Sequence, residues 1–329
     1  MSYLTRQGLL GVTFGGGAIG ALVLGLTIYE HRNVQASSAS AAAATEEYGR
    51  RLIVNTSELL GPDHDDPAMR YSGSRLACTS CHLDAGADPG TLSLLETAAL
   101  YPRYSGRDGG EQDLVSRING CMERSMNGRA LPPDSAEMMA MVAWVESLGG
   151  RFGAMGKSLR TAHEQPGFVR PERRADLRAG ENVFVERCAI CHGADGLGLR
   201  ASANPADGYV FPPVWGPDSF NDGAGMARVL TASRFIKARM PLGEANLTDD
   251  EAYDVAAYIN AQPRPAMANL DRDYPKRAEK PIDSPYGPYA DPFPRDQHRF
   301  GPFKPIEDYY QARKVRAGEE PAAPAPGAR

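Results

Sequence analysis

Two copies of one five-residue pattern set the terms on which this chain can fold. Cys78-Thr79-Ser80-Cys81-His82 and Cys188-Ala189-Ile190-Cys191-His192 both read C-x-x-C-H. In that spacing both thiols bond covalently to a porphyrin and the histidine ligates its iron, so each copy attaches a c-type haem. A zinc or dithiol site is the bland alternative for one copy; repetition of the whole pattern argues against it. Each haem is then part of the core of whatever domain encloses it. Cys121 is the fifth cysteine of five, a single thiol between the two copies, and needs an account of its own.

A length of 329 residues suggests two domains rather than one. A net charge of −5 gives no reason to expect a nucleic-acid partner. Haem consumes four of the five cysteines, so no disulfide framework is implied. Haem c is attached outside the cytoplasmic membrane, which predicts an exported, periplasmic chain. Leu9 to Tyr29 is an uncharged run of 21 residues. About 20 apolar residues span a bilayer, whereas a signal h-region has about 7–15. The length predicts an anchor retained in the inner membrane, residues 1–45 forming that helix and a linker. Six glycines in the run and the small residues after Val34-Gln35-Ala36 leave a cleaved signal peptide as the alternative.

Residues 46–155 and 171–262 read as two domains joined by a linker over 156–170. Each has a helical stretch before its motif, a glycine-rich irregular region after it and an amphipathic closing helix. Asp134 with Glu137 and Thr248 with Glu251 have capping-box spacing. Met138, Met141, Val142 and Val145 mark one apolar face; Ala252, Val255, Ala256 and Ile259 mark the other. Trp144 and Tyr258 take similar places. The pattern predicts an all-α fold of two cytochrome c-like domains in tandem. Half of the 26 prolines fall after Gln262, interleaved with aromatics. That composition predicts an extended strap over 263–329, without regular helix, packed across the domains and ending in a disordered tail.

The second haem has an evident sixth ligand. Met240, in Ala238-Arg239-Met240-Pro241, follows His192 and precedes the closing helix; His/Met ligation raises the reduction potential. The matching place in the first domain reads Ala130-Leu131-Pro132, with no methionine. Nearby sulfur donors are Cys121, Met122 and Met126. With a helix over 111–125, Leu114, Ile118 and Cys121 share a face, which would turn Cys121 toward the first haem. Thiolate ligation lowers the potential of iron. Arg117, Cys121 and Ser125 form a stripe at i, i+4, i+8, and Arg107 sits in the preceding Tyr104-Ser105-Gly106-Arg107 loop. Arginine suits multi-donor recognition of oxyanions, so a sulfur ligand among arginines suggests an anionic sulfur substrate.

From about Tyr48 onward the chain resembles the bacterial dihaem thiosulfate dehydrogenases, or tetrathionate synthases. The resemblance is carried by Gly120-Cys121-Met122-Glu123-Arg124-Ser125-Met126-Asn127-Gly128, by the run from Trp215 to Met226 and by Pro285-Tyr286-Gly287-Pro288-Tyr289-Ala290-Asp291-Pro292-Phe293. It implies two covalent haem c groups, held by Cys78, Cys81, His82 and Cys121 and by Cys188, Cys191, His192 and Met240. It implies sulfur chemistry at Cys121, with Arg107, Arg117 and Ser125 holding substrate. Some members place a lysine before the methionine and exchange the two ligands on reduction. This chain has Arg239 there, and a guanidinium is a poor ligand, so His192/Met240 ligation is expected to be steady.

The implied reaction couples two thiosulfates to tetrathionate and delivers two electrons, by way of both haems, to a small cytochrome c or similar acceptor; the family also runs toward tetrathionate reduction. No proton is exchanged, which suits a site whose spare histidines, His31, His64, His163 and His298, lie away from the motif. Three other readings compete: a dihaem electron carrier without substrate chemistry, a dihaem subunit that conjugates thiosulfate to a carrier protein, and a membrane-tethered wire to a larger complex.

Overall fold

The computed structural model describes residues 45–154 and 167–316. The apolar run Leu9–Tyr29, most of the linker and the tail beyond residue 316 lie outside the described residues. No helix among the described residues is long and apolar enough to cross a membrane.

Two large hydrophobic cores divide the described chain, with a small third cluster of Phe220, Ala224 and Ala227. The first draws its buried residues from Leu52 to Leu148, the second from Ala175 to Ile306. In the first domain α1 (residues 45–54) and α2 (Thr56–Leu60) precede the haem motif, whose first cysteine begins a single turn of 3-10 helix over Cys78–Ser80. An antiparallel ribbon follows, β1 (Arg103–Ser105) with β2 (Gly110–Gln112), then α3 (Leu114–Arg124) and α4 (Ala136–Ala154). The second domain has α5 (Leu177–Val183), which widens into a π turn over Phe184–Cys188 and resumes as α6 (Ala189–His192). A second ribbon, β3 (Leu199–Arg200) with β4 (Tyr209–Phe211), leads to α7 (Val229–Arg239) and α8 (Asp249–Ala261). Two cytochrome c domains in tandem, built of helices and these short ribbons joined by long irregular segments, make up the fold.

The same crossing organises both domains. The opening helix meets the closing helix at a glycine, because no side chain fits between the backbones. A Cβ on Gly49 would lie 1.9 Å from the Ala140 carbonyl oxygen and 2.9 Å from Trp144 Cβ. A Cβ on Gly180 would lie 2.1 Å from the Asp254 carbonyl oxygen and 2.9 Å from Tyr258 Cβ. Trp144 and Tyr258 thus hold equivalent places, as their positions in sequence suggested. Trp144 Nε1 also donates to the Ala85 carbonyl at 2.9 Å, tying α4 to the loop after the first motif.

Three expectations need correcting. The helix carrying Cys121 begins at Leu114, not Glu111; Glu111 belongs to β2, and the Asp113 carboxylate caps the helix by accepting from the Ser116 N–H at 2.7 Å. Asp134 and Glu137 form no capping box. The Ser135 hydroxyl accepts from the Met138 N–H at 3.2 Å, and the Glu137 carboxylate accepts from the Tyr48 hydroxyl at 3.1 Å. Thr248 and Glu251 do form theirs, with both reciprocal bonds present. Finally, the proline-rich segment is not extended throughout: α9 (Arg295–Phe300) and α10 (Lys304–Arg316) are helical. Pro294 and Pro305 fall at helix starts, where the missing N–H costs nothing. Phe300, Phe303 and Ile306 enter the second core, so the tail is part of that domain's interior.

Candidate active site

Two cavities of about 690 and 770 Å³ sit beside the two motifs. Cys78, Cys81, His82 and Cys121 line the first; Cys188, Cys191, His192 and Met240 line the second. Leu76, Ala77, Cys81, Phe220 and Met226 line both, so only a thin shared wall separates them. Both volumes are in the range of roughly 300–1,000 Å³ typical of cofactor sites.

The donor sets fit haem. His82 Nδ1 pairs with the Leu92 carbonyl at 2.7 Å and His192 Nδ1 with the Pro212 carbonyl at 2.8 Å. A backbone carbonyl on Nδ1 fixes the tautomer that leaves Nε2 as the metal-binding nitrogen. Burial pushes the pKa of His192 down, only partly offset by the Pro212 bond, which favours the neutral, ligating ring. The Thr56 hydroxyl lies 3.4 Å from Cys78 Sγ and accepts from the Cys78 N–H at 3.1 Å, anchoring the motif to α2. Met240 sits at the C-terminus of α7, on the wall of the second cavity with His192.

Cys121 differs from the motif cysteines. Burial pushes Cys78 up to about 11 and Cys81 up to about 12. Burial also raises Cys121, but the Arg117 charge and the adjacent His82 ring outweigh it and bring the thiol down to about 7. Arg117 Nη1 donates to Cys121 Sγ at 2.9 Å across one helical turn. Leu114, Ile118 and Cys121 all face the cavity, as their spacing predicted. Met122 and Met126 line it too but belong to the packed core, at 1% and 3% exposure. Leu131, at the place matching the second domain's methionine, is also core; its N–H and carbonyl bond the Asn119 side chain at 2.8 and 3.0 Å.

Arg107, in the turn between β1 and β2, and Ser125, at the end of α3, line the same cavity as Arg117 and Cys121, so the structure brings all four together. Four further contributors were not foreseen. Phe220 and Met226 form part of the wall from the second domain. Arg228, also from the second domain, reaches the cavity while its Nε and Nη2 hold Asp283 at 2.8 and 2.7 Å. Tyr274 comes from the tail. None lies near Cys121 in sequence, so spacing gave no signal for them.

Comparison with known proteins points one way. Residues 70–150 match the family model described as SoxA/TsdA, cytochrome c domain, and residues 175–259 match that described as cytochrome C oxidase, cbb3-type, subunit III. A thiosulfate dehydrogenase of Psychrobacter arcticus is 42% identical over 206 residues, 62% of this chain and 61% of that protein. One of Allochromatium vinosum is 41% identical over 226 residues, 66% of this chain and 77% of that protein. The solved structure of thiosulfate dehydrogenase (TsdBA) from Marichromatium purpuratum aligns with a TM-score of 0.59 at 33% identity, covering 70% of this chain and 48% of that one. The chain thus spans about half the length of that solved protein and less than two thirds of the Psychrobacter relative.

Proposed function

The chain belongs to the thiosulfate dehydrogenase family and carries haem c, and from that premise we propose that it joins two thiosulfates into tetrathionate at Cys121. The observation that carries the reading is the environment of Cys121: a thiol on the cavity wall beside His82, lowered to about 7, with the Arg117 guanidinium on its sulfur.

The residues suit the charge problem of the reaction. Two dianions have to approach each other, and Arg107 and Arg117, fixed on the wall of a partly desolvated cavity, offset their repulsion. The Ser125 hydroxyl adds a donor for a sulfonate oxygen. In the first step the outer sulfur of one thiosulfate bonds to the Cys121 thiolate with loss of two electrons, giving a cysteine-bound thiosulfonate. In the second, the outer sulfur of another thiosulfate attacks the bound outer sulfur, the Cys–S bond breaks and tetrathionate leaves with the Cys121 thiolate restored, as in thiol–disulfide exchange. No proton moves, so no general base is needed. When bound, the two haem groups supply the one-electron chemistry that carries the electron pair to a protein acceptor. His82 and Cys121 would hold one iron, His192 and Met240 the other, and a site with such ligands also suits the reverse reduction of tetrathionate.

Export follows from haem c attachment, and the proposed retention of Leu9–Tyr29 as an inner-membrane anchor is tested by whether the protein stays with washed membranes. The reaction itself is tested by tetrathionate formation from thiosulfate with an artificial acceptor, wild type against Cys121→Ala with both haems attached. Turnover in the first and none in the second supports the assignment. No tetrathionate chemistry in either direction from intact protein leaves an electron carrier as the account, and a thiosulfate–protein conjugate would favour a carrier-conjugating subunit.

A further inference from the structure

The tail delivers an aromatic residue to the first cavity in a backbone conformation that bulky residues rarely adopt. Tyr274 has a φ of 58° and is 7% exposed. Strain of that kind persists only where surrounding contacts over-determine it, and it concentrates at functional sites. Here the contacts are plain. The preceding residue, Asp273, receives Arg124 Nη1 and Nη2 at 2.9 and 2.8 Å and the Tyr286 hydroxyl at 2.7 Å. Arg124 is on α3, the helix that carries Cys121 and Arg117. The clamp on Asp273 therefore registers Tyr274 against that helix.

The object of this arrangement is Arg107. The Tyr274 N–H donates to the Arg107 carbonyl at 2.8 Å, and the Arg107 guanidinium carbon lies 5.9 Å from the centre of the Tyr274 ring. Lys280 Nζ lies at the same distance from that ring and donates to the Tyr286 carbonyl at 3.1 Å. An arginine in a tight turn between two three-residue strands has many side-chain conformations to lose on binding an anion. A flat ring beside the guanidinium removes most of them in advance.

We propose that Tyr274 is a positioning residue for substrate: its backbone pins the Arg107 turn, and its ring holds the Arg107 guanidinium over the cavity that contains Cys121. The inference rests on the reading of Arg107 as a thiosulfate-binding residue. It assigns the tail a part in specificity for small oxyanions beyond covering the domains.

The test is a double-mutant cycle on the dihaem protein, read by the equilibrium Kd for thiosulfate from calorimetry and by the split between KM and kcat. Tyr274→Asn deletes the ring while keeping a residue that tolerates positive φ. It is expected to weaken thiosulfate binding roughly tenfold, the scale of one desolvated cation–π contact, with kcat within about twofold and haem spectra unchanged. In an Arg107→Gln background, which removes the cation, the same change is expected to add less than about twofold. Should Tyr274→Asn fail to retain haem, Tyr274→Leu carries the test, since it keeps apolar bulk but removes the aromatic face, with weakening of at least about threefold confined to the Arg107 background. Unchanged Kd, or equal weakening in both backgrounds, overturns the proposal while wild-type turnover keeps the enzyme reading intact. A wild-type protein that neither binds nor turns over thiosulfate overturns both.

Discussion

Arg117 reaches the sulfur of Cys121 from one turn earlier on the same helix, Nη1 to Sγ 2.9 Å. The pair is the smallest unit in which the proposed chemistry is visible. It predicts that Arg117→Gln, which leaves the cavity and the cysteine in place, lowers kcat/KM for thiosulfate about 100-fold, the cost of removing one preorganised donor from a charge-stabilising site. Steady-state kinetics on haem-loaded protein would show it, and activity within twofold of wild type would remove Arg117 from the mechanism.

The Arg124–Asp273 pair is nearly dry, with side chains 10% and 9% exposed. Arg124→Ala leaves a buried carboxylate and is expected to cost about 3–5 kcal/mol in denaturant unfolding. Replacing both partners together with the hydroxyl that bonds Asp273, as Arg124→Met, Asp273→Leu and Tyr286→Phe, is expected to recover most of that loss. The triple variant would isolate the cost of an orphaned charge from the cost of lost packing.

Asp63 supplies the pH dependence. The Arg75 hydrogen bonds, Nε at 2.5 Å and Nη2 at 2.9 Å, pull its carboxyl pKa down against the opposing effect of burial. A depressed folded pKa contributes stability above the unfolded value of about 3.9 that is lost as pH falls through the lower folded value. Asp63→Asn is therefore expected to lower the melting temperature at neutral pH, with the gap to wild type closing on acidification below about pH 4. A gap that stays constant with pH would place the effect elsewhere.

Arg239 bears on the second haem. Its Nη1 pairs with Asp88 at 2.5 Å and its Nη2 donates to the Pro89 carbonyl at 2.6 Å, both in the first domain. The side chain next to Met240 is thus committed to a contact between domains. Reduction is expected to leave the methionine-to-iron charge-transfer signature of the oxidised protein recoverable on every redox cycle, and Met240→Leu to lower one of the two potentials in a titration. A change of ligand on reduction would contradict the first expectation, and two unmoved potentials the second.

Much of this was legible in the sequence because it is local. The haem motifs are contiguous, and the Arg117–Cys121 contact follows from i, i+4 spacing. What escaped is long-range or marginal in energy. Arg228 and Tyr274 reach the cavity through tertiary packing that no periodicity encodes. Ser135 rather than Asp134 caps α4 because neighbouring polar residues cap almost equally well and the loop decides between them. The helices α9 and α10 were hidden by counting prolines without asking where they fall, since Pro294 and Pro305 stand at the positions helices tolerate. Gly49 and Gly180 carry no local signature either, yet each fixes how closely two helices cross.

The tail places Tyr274 at the first cavity, and roughly thirty residues later it sinks Phe303 and Ile306 into the second core, both at 0% exposure. Tandem cytochromes invite the idea of interchangeable parts, one haem unit per module. Here the segment that finishes one module is rooted in the other. Grafting a foreign single-haem domain onto the first half would discard the anchorage of Tyr274 along with the second haem. The smallest portion of this chain that could be transplanted with its site intact therefore runs from residue 46 to at least Ile306.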